Sequence, residues 1–138
     1  MRTGFVIVNP HKRSVETFTC EHITEAQRHV GLSLVDHGVI AKGLGYCVDE
    51  HGLFKPASQQ AYFSMFRTLV AGPAVFYGFD ERGETLSLRA SEFPDVQFYH
   101  SINDVEAAIR HEEIERPFMA VNGVEFWHWP QQPPEGMR

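Results

Sequence analysis

Cysteine is scarce in this chain of 138 residues, with only Cys20 and Cys47 present. They lie far apart and outside any C-x-x-C spacing, so two buried, reduced thiols are expected rather than a disulfide framework. Positive charge is in deficit as well. Twelve Lys and Arg against 18 Asp and Glu leave a net charge of −6, and nothing would repay repulsion from phosphates, which excludes general nucleic-acid binding. The acidity is nevertheless too mild for a mimic of DNA. Long apolar runs are missing too. The longest, from Gly4 to Val8 and from Ala74 to Phe79, have the length of strands, so no transmembrane helix and no membrane partner are expected. The N-terminus shows no basic segment followed by an apolar stretch and a cleavage site, and a cytoplasmic location follows as the expectation.

What the chain does contain is enough apolar surface for one core. With 43% hydrophobic and 12% aromatic residues, residues 1–130 suit a single domain that needs neither disulfide nor metal to hold it, followed by a proline-rich tail over 131–138. Its centre of organisation runs from Lys42 to Leu88. Two apolar runs there each stop at an acidic tetrapeptide ending in glycine, DEHG from Asp49 and DERG from Asp80, and both have the composition of tight turns. Gly4 to Val8 and Val15 to Cys20 predict a first hairpin across the HKRS turn. Leu34 to Ala41 and Leu44 to Val48 predict a second around Lys42-Gly43. Between them, Thr24 with Gln27 has the spacing of a capping box and opens a short helix that Gly31 stops.

Pro56 to Val70 has Tyr62, Met65, Phe66 and Leu69 at helical spacing behind Ser58, which predicts a helix. Gly72-Pro73 breaks it. Ala74 to Phe79 and Glu84 to Leu88 are then strands on either side of DERG, and Val96 to Tyr99 is another. Ser101 with Asp104 opens a further helix, with Ile102, Val105, Ala108 and Ile109 on one face. Asn122-Gly123 has the chemistry of a type I′ hairpin turn. The fold class is therefore α+β: a mostly antiparallel sheet of about six to nine strands built from hairpins, with two or three helices packed on one side of it.

Taken in order, several of these features resemble one family. They are VNP ending the first strand, TEAQRHVG in the first helix, YCVDEHGL, and VAGPAVFYGFDERGE. Together they are similar to the uncharacterised family known as domain of unknown function 3846, over roughly residues 3–88. The residues that carry the resemblance are Gln27 with Val30-Gly31, Asp49-Glu50, Gly52-Leu53, and Ala71-Gly72 ahead of an apolar strand. Members of that family look like proteins of bacteriophages, other mobile elements and some bacterial chromosomes. The resemblance implies a mobile-element setting and transfers no catalytic residue. Residues 89–130 lie outside it, as an extension expected to pack on the family-like part.

Motifs that would carry chemistry are few. The eight histidines include no H-x-H, H-x-x-x-H or HExxH pattern with a second ligand at suitable spacing, so no metal or other cofactor is expected. Neighbouring carboxylates at Asp49-Glu50, Asp80-Glu81 and Glu112-Glu113 do not make an acid–base pair, which is defined by separation in space. No serine sits in a G-x-S-x-G setting, Cys47 falls inside a strand, and no phosphate loop is visible. The strongest recognition signal is Phe126-Trp127-His128-Trp129. Alternation along a strand puts Trp127 and Trp129 on one face, opposite Phe126 and His128. That face reads either as core packed on the helix over 101–110 or as a surface of interface anchors. Tyr46, Tyr62 and Arg67 would complete a small-ligand pocket if the fold brought them together.

The functional expectation is a non-enzymatic accessory protein of a phage or mobile element that binds and modulates a host protein. The alternatives are a protein that binds or sequesters a small molecule such as a nucleotide signal, and a small hydrolase or transferase. A homodimer is compatible with a small sheet that leaves edges to protect.

Overall fold

A computed structural model of the chain describes residues 2–32, 35–49, 61–111, 113–114 and 116–117. In it the first strand is apolar on both faces because both faces are covered. β1 (Thr3–Asn9) directs Phe5 and Ile7 to one side and Val6 and Val8 to the other, and all four are buried. It pairs on one edge with β2 (Ser14–Cys20), from Thr3 opposite Cys20 to Asn9 opposite Ser14. On its other edge lies β7 (Ala74–Phe79), then β4 (Leu44–Asp49), then β3 (Val35–Ala41). A short strand, β8 (Thr85–Leu86), joins the end of β7 and completes a six-stranded antiparallel sheet. The turn into β8 is the DERG turn read from the sequence. Asp80 Oδ1 accepts from the main-chain N–H of Arg82 and of Glu84, both at 2.9 Å, and Gly83 takes a left-handed φ of 81°.

A second sheet packs on the first. It runs β10 (Arg116–Pro117), β6 (Thr68–Ala71), β5 (Tyr62–Met65), β9 (Gln97–Tyr99), and only the β10–β6 pair is parallel. Phe63, Met65 and Val70 from this sheet meet Val6, Val8, Tyr46, Val48 and Phe76 from the first. The rings of Phe63 and Phe76 stand edge to face with centroids 6.2 Å apart, and Phe93 closes on Phe76 at 5.0 Å.

One helix covers the outer face of each sheet. α1 (Ile23–His29) lays Ala26 over Phe5, Ile7, Cys47 and Val75. α2 (Ile102–Arg110) lays Val105 and Ala108 over Tyr62, Leu69 and Ala71. The α+β class and the antiparallel pairing stand, but the helices lie on opposite outer faces rather than on one side. Ten strands form among the described residues, in two sheets, against the expected six to nine in one.

The extra sheet comes from the segment read as a helix. Residues 62–71 are a hairpin whose two-residue turn, Phe66-Arg67, has left-handed φ values of 51° and 59°, the conformation that an Asn-Gly pair usually supplies and that two ordinary residues adopt here. Both faces of this hairpin are buried, Phe63, Met65 and Val70 on one and Tyr62, Leu69 and Ala71 on the other. Apolar residues then fall at consecutive positions, and a helical spacing can be picked out of a strand pattern that does not alternate. Gly72-Pro73 takes the chain from β6 into β7, with Gly72 at a φ of 80°.

The caps also differ in part. α1 begins at Ile23, and its capping carboxylate is Glu25 rather than Gln27: Oε2 accepts from the N–H of Glu21 (2.9 Å) and of His22 (3.2 Å). Those two bonds hold the Glu25 carboxyl below its ordinary range. α2 opens as expected, with Ser101 Oγ accepting from the N–H of Asp104 at 3.2 Å. Of the four residues assigned to its apolar face, Val105 and Ala108 are buried, while Ile102 and Ile109 are 48% and 47% exposed. Among the described residues no helix is long and apolar enough to cross a membrane. The DEHG turn beyond Asp49, Ser58 and the hairpin expected around Asn122-Gly123 lie outside the described residues.

Candidate functional site

α1 has only seven residues and cannot roof the whole outer face of the first sheet. Where its N-terminal end stops, a cleft of about 530 Å³ opens over β1, β7 and β3. The floor and walls include Phe5 and Tyr77 from the sheet, and the rim carries His22, Thr24 and Glu21 from the start of α1. His37 on β3 closes one side, with the hydroxyls of Thr3 and Thr85 nearby. The lining is thus two aromatic rings, two imidazoles, several hydroxyls, one carboxylate and the aliphatic side chain of Ile23.

The position of Tyr77 follows from a glycine. Gly45 stands opposite it in the β4–β7 register, and a Cβ at residue 45 would fall 2.2 Å from Tyr77 Cζ. The ring therefore lies across bare backbone, a contact that any side chain at 45 would prevent. Tyr77 gains burial this way, and that burial, with Cys47 nearby, raises its phenol above the ordinary value. The same device recurs on the other face, where the ring of Tyr46 lies over Gly38.

Beneath the cleft lies a polar row inside an otherwise apolar core. Gln27, on the buried side of α1, places Nε2 at 3.4 Å from Cys47 Sγ. Cys47 Sγ is in turn 3.2 Å from Nδ1 of His37, its partner in the β3–β4 register. A cysteine beside a histidine suggests a thiol nucleophile, but Cys47 is completely buried and burial pushes its thiol up to about 11. Nucleophilic attack needs a thiolate that a substrate can reach, so this pair does not have the properties of one. The other thiol is also buried: Cys20 donates to the carbonyl of His22 at 3.1 Å, and desolvation and the Glu25 charge raise its pKa. Both cysteines are free and buried, as their spacing led us to expect. Among the described residues no group of three His, Cys, Asp or Glu side chains is placed to hold a metal ion. What the cleft offers is hydrogen bonding and ring contact.

A second cleft of about 530 Å³ lies over the β7–β8 end of the sheet. Its walls are largely apolar, from Phe79, Leu86 and Leu88, with Lys42 at the mouth. Asp80 borders it, but one of its carboxylate oxygens is already engaged in the DERG turn. It has the volume of a ligand site with fewer groups to orient a ligand.

Of the residues singled out from the sequence, Tyr46, Tyr62 and Arg67 line neither cleft. Tyr46 is buried between the two sheets and pushed up to about 12, mainly by that burial. Tyr62 belongs to the separate core under α2, and Arg67 sits exposed in the β5–β6 turn. The two tyrosines thus belong to different layers. Trp127, His128 and Trp129 lie outside the described residues. The residues that do converge, Tyr77, His37 and His22 above Cys47 and Gln27, were not grouped by sequence. The one usable signal was Gly45 inside an apolar strand, since a glycine there marks a close approach. Comparison with protein families, with curated proteins and with solved structures returned no match.

Proposed function

We propose that this chain is a non-catalytic small-molecule binder, an accessory factor of a phage or mobile element, whose ligand occupies the cleft at the N-terminal end of α1. The observation that carries this reading is the cleft itself. Its volume of about 530 Å³ is within the range of ligand sites, roughly 300–1,000 Å³, and its aromatic walls with a few convergent polar groups have the composition of such sites. Tyr77 and Phe5 suit a planar ring, and the histidines and threonines suit the polar atoms around it. The base and sugar of a nucleoside or nucleotide signal have that chemistry. The mobile-element setting rests on the family resemblance of residues 3–88.

Thermal unfolding with a panel of nucleosides and nucleotides tests the reading. A ligand at a hundredfold excess over its Kd stabilises the native state by about 2.7 kcal/mol, which in a chain of this size raises the Tm by roughly 8 °C. His37→Phe is expected to remove most of that rise. A flat response to the whole panel, or a rise that His37→Phe leaves intact, overturns the assignment of the cleft.

The host-protein reading, the first expectation from the sequence, stands second here and is supported by α2. Ile102 and Ile109 lie two turns apart, and each is about half exposed, which supports an apolar contact with a partner protein. Here the expected result is a host protein that co-purifies in fixed ratio under mild lysis and is lost when Ile102 and Ile109 are both changed to serine. Retention of the partner by that variant removes α2 from the interface.

A further inference from the structure

The polar row under the cleft has a direction. A side-chain amide nitrogen can only donate, so Cys47 Sγ is the acceptor in its 3.4 Å bond with Gln27 Nε2. The sulfur has a single hydrogen, and its other hydrogen-bonding neighbour among the described residues is Nδ1 of His37 at 3.2 Å. A neutral imidazole carries its hydrogen on one nitrogen and accepts at the other. We infer that Gln27 and Cys47 fix His37 with Nδ1 as acceptor and the hydrogen on Nε2, so that His37 presents a hydrogen-bond donor to the ligand of the cleft.

Three further observations support the row itself and its access to the cleft. Cys47 and His37 are directly opposed across the β3–β4 pair, so the backbone itself sets their separation. Gln27 and Cys47 are buried, so water does not compete for the row from below. His37 is exposed and lines the cleft, so the edge of its ring away from Cys47 is left for a ligand. The consequence is a preference by chemistry: His37 reads an acceptor, a carbonyl or phosphate oxygen or a ring nitrogen, and disfavours an amino group at that point. Gln27 and Cys47 are positioning residues that act through His37. The donor role in the cleft rests on the ligand-binding reading above; the tautomer does not.

Two spectra of the full chain without ligand decide the tautomer. Long-range ¹H–¹⁵N correlation of the imidazoles, at a pH where His37 is neutral, is expected to show Nδ1 unprotonated and shielded by an accepted hydrogen bond, with that shielding lost in Cys47→Ala. The S–H stretching band of Cys47, assigned by its disappearance in Cys47→Ala, is expected to move to higher frequency in His37→Phe. Because His37 is exposed, that variant leaves the core intact. A protonated Nδ1 would mean that Cys47 Sγ accepts from His37 instead of donating to it, and it overturns the inference. So does an S–H band that His37→Phe leaves unmoved.

The ligand role is read separately with the nucleoside and nucleotide panel. His37→Gln, which keeps a donor, is expected to retain more of the thermal shift than His37→Phe; equal losses overturn the donor assignment. A panel with no shift in the unaltered protein defeats the ligand-binding reading, while the two spectra still decide the row.

Discussion

Phe76→Ala is expected to cost about 3–5 kcal/mol, the range for truncating a large buried aromatic side chain. Phe76 is completely buried at the centre of the first sheet, with β1 on one side of it and β4 on the other. Its ring is the point where the sheets meet, edge-on to Phe63 at 6.2 Å and 5.0 Å from Phe93. Alanine would remove that contact from both layers, and the backbone pairing around it leaves little room for collapse into the void. A loss of this size is a large share of the 5–15 kcal/mol that holds a typical domain. Urea unfolding should show the midpoint falling by roughly 2 M, while Val39→Ala, at a position 40% exposed, stays within about 1 kcal/mol of the unaltered chain. A cost for Phe76→Ala below about 1.5 kcal/mol would contradict the face-to-face packing of the sheets.

Alkaline pH is expected to destabilise the chain through its buried acids. Cys47 is raised from an ordinary value of 9.0 to about 11, and Tyr46 from 10.0 to about 12, each chiefly by burial. Both are neutral when protonated, so the native state holds its protons longer than the unfolded chain does. Below pH 9 the Cys47 contribution is fully present. Between pH 9 and 11 the unfolded chain has released that proton and the native state has not, so stability falls as pH rises, by about 1.4 kcal/mol per unit at most. Tyr46 adds the same slope one unit higher, and each loss is on the order of 2 kcal/mol over its span. Cys20, Tyr62 and Tyr77 are shifted in the same direction. Urea titrations at pH 8, 9, 10 and 11 check this. Cys47→Ala should start lower at pH 8, because it leaves a small void, and then decline less steeply between pH 9 and 11. Parallel declines in the two proteins would mean that Cys47 does not titrate as its burial requires.

The elements most legible in the sequence were those bounded by turn chemistry. The DERG turn, the Lys42-Gly43 hairpin and the Ser101 cap each rest on one or two residues whose local geometry their side chains dictate, and all three are present. The second sheet was not legible, because a strand buried on both faces has no alternation to read and the Phe66-Arg67 turn lacks the usual glycine. The cleft was hidden for a different reason. Gln27, His37, Cys47 and Tyr77 come from four separate elements, and only the order β7-β4-β3 with α1 above it places them together. Tyr46 and Tyr62 attracted notice as aromatics in sequence, yet the fold uses them as packing in two different layers.

The place of β7 bears on how the chain is made. Val6 on β1 pairs with Phe76 on β7, and Tyr46 on β4 pairs with the same residue from the other side. On the ribosome, the strands flanking the centre of the sheet emerge well before the strand that joins them. The β1–β2 and β3–β4 hairpins can close locally, but each then waits with one apolar, unpaired edge until β7 arrives. Nascent chains halted before residue 74 would therefore present two sticky half-sheets and require chaperone protection, whereas chains extended past Phe79 can join them into one sheet.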